Sequence, residues 1–189
     1  MKDSQPLDPS EPPDARLLRT AAERPATVHA AADYVSEPGW AHFEAHVRGV
    51  FNELIDLRDS GPNAGVPLVL HNYAPMTPRP SGASGGSGPW LQPALDAYAV
   101  PVVDHEALAD ELLARVNALI NSLLAEREAA HPGSKLHLVN SFAQAGVVRA
   151  QPGTGGVSGD WVNEIHLTRQ GYAKCADVWA GVLDGLPAA

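Results

Sequence analysis

The chain has 189 residues, 44% of them hydrophobic, a single cysteine, and a formal net charge of −9 at pH 7 with a pI near 5.2. That suffices for one domain with a sizeable core, and it argues against wholesale disorder and against a nucleic-acid partner, which would demand a basic face. With Cys175 alone there is no intrachain disulfide and no cysteine-based zinc site to expect.

In chain order, residues 1–14 carry prolines, serines and acids with almost no apolar content and predict a flexible lead-in. Residues 1–6 lack the apolar stretch of a secretory signal, and no apolar run is long enough to cross a bilayer. The expectation is a soluble, cytoplasmic protein, with one domain over 15–189. Residues 15–33 are rich in Ala and Arg and predict partial helix interrupted at Pro25. After the turn signal Glu37-Pro38-Gly39, the residues Trp40, Phe43, Val47, Val50, Phe51, Leu54 and Ile55 recur at helical spacing and predict an amphipathic helix over 40–58. The run 66–72 is short, apolar and partly β-branched, as a buried strand is. Residues 73–93 form a Pro/Gly/Ser-rich loop. That length reads as a functional lid or as disorder, with Trp90 and Leu91 as anchors.

Asp104 is placed to cap the next helix, whose apolar side carries Leu108, Leu112, Leu113, Val116, Leu119, Ile120, Leu123 and Leu124. Pro132-Gly133 ends that region, and residues 136–139 predict a second strand. A last helix runs through Tyr172, Ala176, Val178, Trp179, Val182 and Leu183. Helices alternating with short apolar strands indicate an α/β fold with a parallel sheet. Only two strands are evident, short of a complete doubly wound domain, and open sheet edges would offer a route to homo-oligomers.

The most informative stretch is 158–172, a polar loop that delivers His166 and then opens the last helix. A histidine ordinarily titrates near neutral pH, so it can take a proton from a hydroxyl nucleophile and return it to a leaving group. The block Asp160-Trp161-Val162-Asn163-Glu164-Ile165-His166, followed by Gly171-Tyr172 and an amphipathic helix, resembles the last block of SGNH/GDSL-type ester hydrolases. Leu70-His71-Asn72-Tyr73 with Gly88-Pro89-Trp90-Leu91 is similar to the loop after a middle strand in one bacterial branch of that family. The resemblance covers roughly residues 30–185, with the His166 block its most specific part.

The resemblance implies a flavodoxin-like three-layer α/β/α fold and cleavage of small-molecule esters through a serine nucleophile, with no cofactor. It places the catalytic histidine at His166. It carries over neither the Gly-Asp-Ser nucleophile block nor the glycine and Gly-x-Asn oxyanion blocks. The implied object is the C-terminal portion of such a domain, its N-terminal strands missing. Many family members have an aspartate three residues before the histidine, where this chain has Asn163, which can orient an imidazole but supplies no charge. Asp160 or Glu164 could substitute, Asp160 being the better candidate, although a loop or cap role fits it equally well. His71, at a strand end, fits either the lining of a substrate pocket or a hydrogen-bonded structural histidine. Trp161, beside the block, reads as a core or loop anchor that could also shape an acyl pocket.

Other matches are weaker. Asp3-Ser4 mimics the end of a nucleophile block without a preceding strand, and Ser141 is an internal candidate for a displaced nucleophile. Gly61-Pro62-Asn63 mimics Gly-x-Asn but reads better as a helix-ending turn. His42 and His46 share a helical face, yet the glutamate of the zincin pattern is absent and a solvated face is the better reading, so no metal site is expected. The 81–88 Gly/Ser stretch lacks the lysine of a phosphate-binding loop. Two functional readings follow: an ester hydrolase, active or residual, and a noncatalytic module that binds a partner or itself.

Overall fold

The computed structural model describes residues 8–186. Helix α1 spans Glu37–Ser60, strand β1 Leu68–His71, α2 Gln92–Ala97, α3 His105–Ala130, β2 Leu136–Val139, α4 Ser141–Gln144 and α5 Arg169–Asp184. Short 3-10 turns occupy Ala21–Glu23, Ala31–Tyr34 and Val102–Asp104, so the partial helix expected over 15–33 is reduced to single turns. Ser36 starts α1 by accepting the Gly39 N–H, with Pro38 in the first turn, where its missing N–H costs nothing. Gly61 then ends α1 with an N–H to the Arg58 carbonyl, so Gly61-Pro62-Asn63 is a helix-ending turn on the N-terminal side of β1.

The two strands pair in parallel with Leu68 opposite Leu136 and His71 opposite Val139. Among the described residues they form the whole sheet, and each strand keeps one unpaired edge. Alternation along the strands sends Leu68 and Leu70 to one face and Val69 and His71 to the other. The His71 ring lies 5.6 Å from that of Trp179, which turns this second face toward α5. Both α3 and α5 contact β2, and α1 packs on α3. The architecture is mixed helix and sheet, with helices laid against a two-stranded parallel ribbon.

The core falls into two clusters. One gathers Leu18, Tyr34, Val35, Trp40, Leu95, Tyr98, Val100 and Leu108, around the start of α3. The other gathers Ala74, Met76, Ala150, Trp161 and Leu167 below the His166 loop. Asp104 stands at the N-cap position of α3 without capping it. Its carboxylate instead accepts the hydroxyl of Tyr34, a partner 70 residues away that propensity could not reveal. Residues 8–14 are not a free tail either: Arg16 Nε donates to the Glu11 carbonyl at 2.7 Å, and Ser36 Oγ to that of Pro13 at 2.6 Å. No helix among the described residues is long and apolar enough to cross a membrane.

The 73–93 segment departs most from expectation. It has no regular structure before Gln92, but Ala74, Met76, Thr77, Arg79 and Ser81 are buried, so its first half is a packed strap. Its buried side chains tie it to residues 150–156. Thr77 Oγ1 donates to the Ala150 carbonyl at 3.0 Å, and the fully buried Arg79 donates through Nη1 to the carbonyls of Thr154 at 3.0 Å and Gly156 at 2.6 Å. The tip, 82–88, is mostly exposed, as are Tyr73 and Pro80.

Candidate active site

The His166 loop is a small knot built from its own backbone. Ser158 and Trp161 exchange hydrogen bonds at 2.9 and 3.0 Å, Val162 N–H reaches the His166 carbonyl at 2.8 Å, and Thr168 N–H the Asp160 carbonyl at 2.7 Å. Thr168 caps α5 through Gly171 N–H at 3.2 Å. A Cβ at Gly171 would meet the Asp160 carbonyl at 2.7 Å, so only glycine lets the first turn of α5 press against the knot.

Asn163 organises the tip. Its Oδ1 accepts the N–H groups of Ile165 at 3.1 Å and His166 at 2.8 Å, an Asx turn, and lies 3.1 Å from His166 Nδ1. Two backbone donors on the same atom decide which end of the amide is oxygen, and an oxygen facing Nδ1 requires Nδ1 to carry the proton. The Nε2 lone pair is therefore the one available for chemistry. His166 is exposed, and no described residue hydrogen-bonds to Nε2. The Trp90 ring stands edge-on to the imidazole, with centroids 5.7 Å apart and planes at 79°.

Glu164 points the other way. It is 1% exposed, and its carboxylate accepts four backbone N–H groups from the strap: Arg79 at 3.2 Å and Gln92 at 2.8 Å on Oε1, Leu91 at 2.7 Å and Trp90 on Oε2. Consecutive side chains thus do two jobs. Asn163 orients the imidazole, and Glu164 holds the backbone that presents Trp90 to it. Burial pushes the Arg79 guanidinium pKa down, and the nearby Glu164 charge opposes that shift.

Asp160 is engaged elsewhere: its Oδ2 accepts from Lys174 Nζ at 2.6 Å and Val148 N–H at 2.7 Å, with no hydrogen bond to His166. The Lys174 hydrogen bond holds its carboxyl below the usual aspartate value, burial works against this, and the Val148 N–H adds to it. With the folded pKa below the unfolded one, this stabilisation is complete above the unfolded value and drains away as pH falls through the folded one. Lys174→Met should therefore begin acid unfolding at a higher pH than the native chain, as read by circular dichroism along a pH titration. An unchanged acid transition would show that the pair contributes nothing.

Trp161 is fully buried in the second core cluster, with its indole 6.4 Å from the Tyr73 ring, and meets no solvent from which a substrate could approach. His71 is exposed against Trp179 and shares no hydrogen bond with the His166 knot. Ser141 is buried and makes no hydrogen bond to His166, and Ser4 lies outside the described residues. Asparagines unforeseen in the sequence tie the carboxyl ends of both strands: Asn72 Nδ2 reaches the Oδ1 atoms of Asn117 and Asn140, each at 2.7 Å. Among the described residues no group of three His, Cys, Asp or Glu side chains is placed to hold a metal ion.

No family model, curated protein or solved structure matches the chain.

Proposed function

We propose that the chain is an SGNH-like ester hydrolase module in which His166 is the general base and the serine nucleophile comes from outside the described residues. The observation that carries this reading is the Asn163–His166 pair, which orients the imidazole with Nε2 outward and without a hydrogen-bond partner among the described residues. In the proposed step Nε2 takes the serine proton as the serine oxygen bonds to the ester carbonyl carbon. The same proton passes to the alcohol oxygen as its bond to that carbon breaks. Water, activated by Nε2, then releases the acid and restores the serine. On this reading the two strands belong to a flavodoxin-like α/β/α sheet with an open edge at β1.

A second reading, a noncatalytic module that pairs with itself, is favoured by that open edge together with Val50, Leu54 and Leu57, which leave an apolar stripe of α1 in solvent. Hydrolysis of p-nitrophenyl acetate by the purified chain separates the two. Turnover above buffer that rises with pH as an imidazole deprotonates supports the hydrolase. No turnover, with a mass that grows with concentration in light scattering, supports the self-pairing module.

A further inference from the structure

Beside the His166 knot lies a cavity of 280 Å³ with an almost wholly aliphatic wall. One side is a single stripe of α3, where Ala109, Leu112, Leu113 and Val116 follow one another at helical spacing. Tyr73 and Met76 of the strap form the opposite wall, closed by Leu91 and Ile165. No charged side chain lines it. The space is open to solvent, and apolar surface left against water gains from being covered by an apolar guest. A space of this size kept open by side chains that offer water no partner is suited to an apolar guest.

We infer that this cavity binds the unbranched alkyl chain of a carboxylic acid or its ester. The α3 stripe from residue 109 to 116 rises about 10 Å along the helix, a wall long enough for an extended chain to lie along. Leu91 and Ile165 are the chain neighbours of Trp90 and His166, so the wall runs on into the edge-on ring pair. The Tyr73 hydroxyl donates to the Ile165 carbonyl, which braces that end of the wall. A chain seated here places its carboxyl end toward His166. That orientation rests on the hydrolase reading, whereas the cavity's affinity for a chain does not.

Calorimetric titration of the full chain with sodium butyrate, hexanoate and octanoate tests this without any turnover. Each added methylene is expected to tighten binding about fourfold, or roughly 250-fold from butyrate to octanoate. Val116→Trp, which fills the groove, should bring octanoate down to the butyrate level. Affinities independent of chain length would overturn the inference, as would undiminished octanoate binding in a folded Val116→Trp chain. The length series on the native chain decides the matter even if that variant does not fold. Chain-length-dependent binding without ester turnover would support the cavity and overturn only the hydrolase reading. Turnover without chain-length dependence would do the reverse.

Discussion

Glu164→Leu is expected to destabilise the chain by about 3–5 kcal/mol, the largest effect of any single substitution considered for this protein. The carboxylate is buried and accepts four backbone N–H groups at once, and leucine accepts none. Those donors lie in the packed strap, where water does not replace the lost acceptor, and the buried Arg79 loses its nearest compensating charge. Glu164→Gln should fall between the two, because its amide keeps one oxygen for one pair of donors and turns an NH₂ against the other pair. Urea denaturation measures both. For a chain of this size the Glu164→Leu midpoint should drop by about 2 M with an unchanged slope. A drop under about 0.5 M would mean that the strap finds other acceptors.

His166→Ala is expected to lower ester turnover by about a thousandfold, within the range that a positioned general base contributes. Substitutions at Asn163 separate the base from its orientation. Asn163→Leu removes the acceptor of both Asx-turn N–H groups and of Nδ1–H, so the imidazole loses its tautomer and its position, and turnover should fall about a hundredfold. Asn163→Asp keeps all three contacts and adds a charge beside the imidazolium formed during proton transfer, so turnover should rise about tenfold. Initial rates with p-nitrophenyl acetate report all three variants. Equal rates for Asn163→Leu and the native chain would remove Asn163 from the account.

Periodicity made the helices and strands legible: α1, α3 and α5 follow their apolar spacing, and the two strands fall where short apolar runs sit between turn signals. The His166 loop was also legible as a loop, because its polar residues break one pattern just before Thr168 starts the next. The contacts that give those residues their roles were not legible. Glu164 meets Arg79 across 85 residues and Asn72 meets Asn140 across 68, and no local pattern encodes such distances. The strap is the clearest case. Its Pro/Gly/Ser composition is that of a mobile loop, yet buried Glu164 accepts four of its backbone N–H groups and buried Arg79 ties it to the carbonyls of Thr154 and Gly156. Asp160 shows the same limit, since its type and position suit a triad acid while Lys174, one α5 turn beyond Gly171, takes its carboxylate.

Labelling with a fluorophosphonate probe, read by mass spectrometry, shows whether His166 activates a serine. One phosphonylated serine is expected in the native chain, with that adduct lost in His166→Ala. Absence of any adduct, or equal labelling of the two proteins, would contradict it.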